Sequence, residues 1–304
     1  MESASGQIRE IFRSVQVPVS PSNIMDERAA YMQAAFAEGV RDGHVYFVYQ
    51  PIVEPKTGAC RAVEVLARWE DDALGSISPA EFVPALANSP MIHLLSEASI
   101  STALEQYTVW REKGIAPEYI AVNVSPEQIR EPGFSKRVLQ ILRERGLPPR
   151  VLCIEIMEGQ RIRNIRSCRN EIHELSEDGV HIAMDDFGSG HSGLLRLSEL
   201  PIDILKLDRI RGSRYLRNDF TMWRLQVFVD NMRLKGIGVI AEGIEEMMHA
   251  ERMGKVGVKA IQGYCYSRPL DTDAILMYLQ EHGTTGAFLE GAGSQGPDSV
   301  REQA

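Results

Sequence analysis

The chain is 304 residues long and carries 33 Lys and Arg against 42 Asp and Glu, a net charge of −9. That balance argues against a partner that is a nucleic acid polymer or an anionic membrane, since both need positive patches. No run of about 18 apolar residues is present, so no membrane insertion is expected, and the first residues lack the apolar core of a signal peptide. Cys60, Cys153, Cys168 and Cys265 form no Cys-x-x-Cys pair. Reduced thiols and a cytoplasmic protein are the expectation.

Residues 1–22 are polar with no clear period and read as an N-terminal extension. Residues 23–282 read as one domain. Residues 283–304, rich in Gly, Ser and Gln, have the composition of a disordered tail. A first helix is expected over 24–42 from the spacing of Ile24, Ala30, Tyr31, Ala34, Ala35 and Val40. Strand-length apolar runs follow at 45–50, 62–67, 120–124, 151–156, 180–184, 203–207, 237–241 and 259–264. Helical patterns at 91–112, 134–145, 168–178 and 219–235 separate several of them.

The first two strands are joined only by a short polar turn, 54–59. A parallel crossover needs a dozen or more residues, so these two form an antiparallel hairpin. The later strands, joined by helices, are parallel. The fold class is α/β, a (β/α)8 TIM-like barrel with one antiparallel strand. An open doubly wound sheet is the alternative.

The strand ends carry the chemistry. The runs lead in turn to Asn123, to Glu155 and Glu158, to Asp185 and Asp186, to Lys206 and Asp208, to Glu242 and to Gln262; the hairpin adds Glu64 and Arg68. Parallel barrel strands converge at their C-termini, where active sites are built. One polar residue at a strand end is commonplace. Several carboxylates pooled together repel one another unless a cation is present. The donors are carboxylate and amide oxygens, with no Cys pair and no helical His pair. This favours Mg²⁺ or Mn²⁺ over zinc or copper. The adjacent Asp185 and Asp186 allow one carboxylate to bridge two ions, an arrangement suited to phosphodiester hydrolysis. Asp186-Phe187-Gly188 superficially matches a kinase motif, but no accompanying kinase segment exists.

The segments YQPIV, EVLAR, NVSP, EIME, DDFGSGHSGL, LKLD, AEGIEE and QGYCYSRPL, in this order over about 24–275, resemble those of the EAL-domain phosphodiesterases of cyclic di-GMP (c-di-GMP). The family fold is a modified (β/α)8 barrel. The resemblance implies that Glu64, Asn123, Glu155 and Asp185 bind one metal, and that Asp185 and Asp186 serve a second. Glu242 matches a second-metal ligand or general base. Lys206 would lie beside the attacking water, with Gln262 in support. Arg68 would meet a substrate phosphate, with Gln50, Leu66 and Asp208 on the substrate side. Glu158 would anchor the loop after Asp186, which is tied to metal binding and dimerisation.

The chain has Glu64-Val65-Leu66 where the family signature has alanine second. Val65 is expected to point away from the face that carries Glu64. His191 and Gly193 replace the usual Tyr and Ser of the loop, a departure that bears on loop rigidity and dimer coupling. The implied activity is hydrolysis of c-di-GMP to linear pGpG with two Mg²⁺ or Mn²⁺ ions and inhibition by Ca²⁺. A homodimer and a regulatory protein partner accompany it. The alternatives are a non-catalytic c-di-GMP receptor and a partner-binding module with a vestigial pocket.

Overall fold

The computed structural model describes residues 24–87, 89–157, 168–187, 199–207 and 219–284. The expected extension, 1–22, and nearly all of the expected tail, 283–304, lie outside them, as do Glu158, Asp208, His191 and Gly193. The elements in chain order are α1 (Ile24–Asp42), β1 (Val45–Val53), β2 (Cys60–Asp71), β3 (Gly75–Ile77), α2 (Pro79–Leu86), α3 (Met91–Glu112), β4 (Tyr119–Asn123) and α4 (Pro126–Ile129). Then come α5 (Phe134–Glu144), β5 (Leu152–Met157), α6 (Arg169–Glu177), β6 (His181–Asp185), β7 (Ile204–Leu207) and α7 (Asp219–Leu234). The last are β8 (Gly238–Ala241), α8 (Met247–Val256), β9 (Ala260–Ile261) and α9 (Thr272–His282).

Eight strands close into a barrel in the order β1-β9-β8-β7-β6-β5-β4-β2, and β2 returns to pair with β1. β1 is antiparallel to both of its neighbours, and every other barrel pairing is parallel. The reversed strand follows from the short 54–59 connection. β3 lies outside the ring as a third antiparallel strand on β2. The last apolar run, 259–264, yields only a two-residue strand before the chain turns at Gly263.

Strand alternation sorts the side chains into two cores. Ile52, Ala62, Tyr119, Ala121, Cys153, Ala183, Ile204, Ile240 and Ala260 form a small cluster of their own, all essentially without solvent contact. Most are alanine or one medium side chain per strand, the size that fills a barrel interior. The opposite faces of the same strands meet the helices in the largest cluster, where Val65, Val122, Ile154, Ile182, Leu205 and Val239 pack against Trp110, Leu142 and Leu175. Val65 is therefore on the helix-facing side, as strand alternation requires. Helices supply their apolar faces: on α5 the buried Phe134, Val138, Leu139 and Leu142 recur at helical spacing.

A third cluster sits at the top of the hairpin, where α1 and α2 enclose Trp69 with Phe36 and Phe82. The Phe36 and Trp69 rings meet edge to face at 5.4 Å. α2 was not expected from the sequence, because Pro84 lies inside it.

Candidate active site

On each barrel strand a polar side chain stands two residues from a member of the inner apolar layer. Ala62 precedes Glu64, Ala121 precedes Asn123, Cys153 precedes Glu155 and Ala183 precedes Asp185. Ile204 likewise precedes Lys206, Ile240 precedes Glu242 and Ala260 precedes Gln262; on the reversed β1, Gln50 comes two residues before Ile52. With period-two alternation, each points to the same side as its apolar neighbour, one layer nearer the strand C-termini. Register confirms the layer: Gln50 faces Glu64 across β1 and β2, and Asn123 faces Glu155 across β4 and β5.

Lys206 occupies the centre. Its Nζ lies 2.7 Å from Glu155 Oε2, 2.8 Å from Glu242 Oε1, 3.1 Å from Glu64 Oε2 and 3.8 Å from Asp185 Oδ1. Glu64 also accepts from Asn123 Nδ2 at 2.6 Å and from Gln262 Nε2 at 2.6 Å. The Gln262 amide reaches Gln50 Oε1 at 3.2 Å, and Gln50 in turn donates to the Ser267 carbonyl at 3.3 Å. Glu64, Glu155, Lys206, Gln50 and Gln262 are buried.

Burial opposes the Lys206 charge, but Asp185, Glu155, Glu242 and Glu64 outweigh it and hold the ammonium well above the usual lysine range. Burial would raise Glu64, yet Lys206 and the hydrogen bonds from Gln262 and Asn123 keep its carboxyl below the usual value. Glu155 is pushed well above it by burial and by the Glu64 charge, against the pull of Lys206. Burial likewise raises Glu242, to about 8, against Lys206 and with the help of Asp185.

Asp185 and Asp186 follow the strand end. Asp186 takes a left-handed backbone, φ 55°, a conformation open to Asp at modest cost. Its N–H donates to Asp185 Oδ1 at 2.8 Å, and Phe187 N–H donates to the Lys206 carbonyl at 3.0 Å. Phe187 stacks on Phe228 of α7 at 5.8 Å. Carboxylate oxygens of Asp185, Asp186 and Glu242 lie within 4.8 Å of one another.

A cavity of about 340 Å³ opens above this ring, lined by Gln50, Glu64, Asp185, Lys206, Glu242, Gly243, Glu245, Gln262, Gly263 and Tyr264. Of the residues expected at the site, Gln50, Glu64, Asn123, Glu155, Asp185, Asp186, Lys206, Glu242 and Gln262 come together. Leu66 and Arg68 share the Glu64 face of β2 but do not line the cavity, and the Arg68 guanidinium donates to the Ala67 carbonyl at 2.8 Å. Asp208 and Glu158 lie outside the described residues. Gly263 and Tyr264 were not singled out in the sequence, though both sit in the quoted QGYCYSRPL segment. Their signal was the step from Gln262, a pocket residue, into a glycine.

The residues fit an oxygen-preferring metal. The donor set is carboxylates and amides, four carboxylates face one lysine, and the buried Gln262 Oε1 has no hydrogen-bond partner. Acids buried and crowded enough to push Glu155 and Glu242 above the usual carboxylate range are stabilised by an oxygen-ligated cation.

Eight strands, one of them reversed, with an acidic, lysine-centred ring at the strand ends define the class of this protein, a TIM-like (β/α)8 barrel. The chain belongs to the EAL domain family, whose model matches residues 33–269. The probable cyclic di-GMP phosphodiesterase PdeI of Escherichia coli is 34% identical over 236 residues, 76% of this chain and 30% of that protein. An uncharacterized protein of Mycobacterium tuberculosis is 31% identical over 252 residues, 80% of this chain and 81% of its own length. The PaMucR phosphodiesterase in complex with c-di-GMP superposes with a TM-score of 0.73 at 28% identity, covering 81% of this chain and 99% of that one. The chain spans about a third of the length of the first curated relatives it matches. Among the described residues no helix is long and apolar enough to cross a membrane.

Proposed function

We propose that this protein is a cytoplasmic, metal-dependent phosphodiesterase that hydrolyses c-di-GMP to linear pGpG. The observation that carries the reading is the polar ring, in which every described residue matched to a family metal ligand is present and faces the others. The names of PdeI and of the PaMucR complex point to the same substrate.

Glu64, Asn123, Glu155 and Asp185 would hold one Mg²⁺ or Mn²⁺ ion, and Asp185 and Asp186 the second. When bound, such ions lower the pKa of a coordinated water and neutralise charge developing on the phosphate. Glu242 lines the cavity and takes the proton of the attacking water at a carboxylate oxygen, or ligates the second ion. Lys206, buried and charged, orients that water and offsets the negative charge that grows on the phosphate oxygens. Gln262 fixes Glu64, the carboxylate that the hairpin itself carries. Arg68, Leu66 and Asp208 belong to the substrate side, where Arg68 swings from the Ala67 carbonyl to a substrate phosphate. Glu158 anchors the loop after Asp186 in a homodimer that a regulatory protein partner can bias. Ca²⁺ inhibits the reaction.

The test is incubation of the protein with c-di-GMP and Mg²⁺ or Mn²⁺, followed by chromatography. Metal-dependent appearance of pGpG supports the reading. No product with either ion, from a protein that is folded, contradicts it.

A further inference from the structure

The cavity floor is ionic and amide, and Tyr264 is the one aromatic residue among those that line it. Its side chain is 48% exposed, and the Arg268 guanidinium lies over its ring, 4.3 Å from the centroid. An exposed tyrosine is common on a protein surface. A tyrosine on the wall of a cavity of about 340 Å³, with a cation parked on its ring, is a different arrangement.

The segment that carries it is fixed along its length. A Cβ on Gly263 would lie 2.0 Å from the Ile244 carbonyl oxygen, so only glycine lets the two backbones approach this closely. Cys265 N–H donates to that same carbonyl at 3.1 Å, and Tyr266 and Ser267 N–H donate to the Gly263 carbonyl at 3.1 and 3.2 Å. Further on, Leu270 and Tyr49 exchange both backbone hydrogen bonds, at 2.8 and 2.7 Å. The backbone that carries the ring is thus preorganised and Arg268 lies over one face of the ring, so a flat ligand laid against it orders little of the main chain.

We propose that Tyr264, backed by Arg268, is the stacking platform for one purine base of the dinucleotide. The inference rests on the functional reading above. The acidic ring and its ions deal with the phosphodiester, and among the described residues that line the cavity floor none has an apolar face for a base. Base–aromatic stacking contributes about five- to hundredfold in affinity and tolerates any base. Tyr264 therefore acts on substrate affinity and leaves the chemical step to the carboxylates and Lys206. The ring matters and its hydroxyl does not.

The experiment compares wild type, Tyr264→Phe and Tyr264→Leu, each checked for folding by circular dichroism, with KM and kcat for c-di-GMP measured in Mg²⁺. Tyr264→Phe should stay within about twofold of wild type, while Tyr264→Leu should raise KM about tenfold or more with kcat little changed. Should Tyr264→Leu not fold, Arg268→Ala keeps the ring and removes its backing. That variant should raise KM about two- to fivefold. Unchanged KM in Tyr264→Leu, or in Arg268→Ala where it takes over, overturns the inference and leaves the functional reading intact. Loss of kcat at constant KM in these variants also overturns it. A folded wild type that gives no product overturns the functional reading, and this inference with it.

Discussion

The Lys206 ammonium lies 2.7 Å from Glu155 Oε2 at the base of the cavity, with both side chains 1% exposed. The ammonium would not be tolerable there alone, since burying an unpaired ion costs several kcal/mol. Glu155 is one of four carboxylates that share this single cation. The pair therefore ties two strands at the barrel mouth, while burial and the crowding of four acids around one cation push Glu155 and Glu242 above the usual carboxylate range.

Removing that cation exposes the crowding. Lys206→Met keeps the length of the side chain but leaves Glu64, Glu155, Asp185 and Glu242 facing one another. In the presence of a chelator the variant should lose about 3–5 kcal/mol of stability. Part of the loss should return with Mg²⁺, which binds only the folded ring. Urea titrations with EDTA and with Mg²⁺ check this. A variant within about 1 kcal/mol of wild type in EDTA would show that the ring does not depend on the lysine.

Glu64→Ala removes the carboxylate that Lys206, Asn123 and Gln262 all address. Hydrolysis of c-di-GMP should fall by at least about a hundredfold, in line with losing a metal ligand. The fold should survive, because crowding among the remaining acids is relieved. Turnover within threefold of wild type would remove Glu64 from the metal set.

Gly263→Ala tests the close approach that shapes the cavity wall. The added carbon would sit 2.0 Å from Ile244 O and 2.6 Å from Ile244 N, both backbone atoms that cannot swing away. A loss of about 3 kcal/mol is expected. Thermal melting of the variant reads it, and a melt matching wild type would mean that the 243–244 loop yields freely.

Glu171, which does not line the cavity, makes a pH-dependent contribution of its own. Gly133, which precedes α5, offers no side-chain cap. Glu171 of α6 replaces one, accepting from Gly133 N at 3.0 Å and from Ser135 N and Oγ at 2.8 and 2.6 Å. Burial raises its pKa, but these hydrogen bonds from Ser135 and Gly133 prevail and lower it. A depressed carboxylate stabilises the fold above its unfolded pKa of about 4.3, and that stability is lost as pH falls through the lower folded value. Glu171→Gln should thus cost about 1 kcal/mol at pH 7 and progressively less below about pH 4. Denaturant midpoints across pH 3–7 measure it; a constant gap at all pH values would rule out the charged cap.

Much of this was legible in the sequence, for a physical reason. A parallel barrel strand announces itself as an apolar run, and its C-terminal residue is the one that reaches the mouth. The runs that lead to Asn123, Glu155, Asp185 and Glu242 therefore make these members of the ring legible in the sequence itself. The reversed β1 was legible from the brevity of 54–59. Helix α2 was hidden by Pro84, and β3 by its three-residue length. Nothing local to Lys206 says that four acids from four other strands surround it, because those contacts span up to 142 residues. The tight fit of Gly263 against Ile244 and the Tyr264–Arg268 stack are likewise matters of tertiary placement. Arg68 was expected at the substrate and is instead turned to its own strand's backbone, a position that a side chain of its length can leave.

The central claim is that the ring performs hydrolysis rather than mere recognition. The most direct measurement follows binding and turnover of c-di-GMP side by side in Mg²⁺, Mn²⁺ and Ca²⁺. Ca²⁺ accepts the same oxygen donors but sits at about 2.3–2.6 Å from them, against about 2.0–2.1 Å for Mg²⁺, and it holds looser geometry. Binding should therefore occur with all three ions, while pGpG should form with Mg²⁺ and Mn²⁺ and not with Ca²⁺. Tight binding without product in any of the three would contradict the account and make this protein a c-di-GMP receptor.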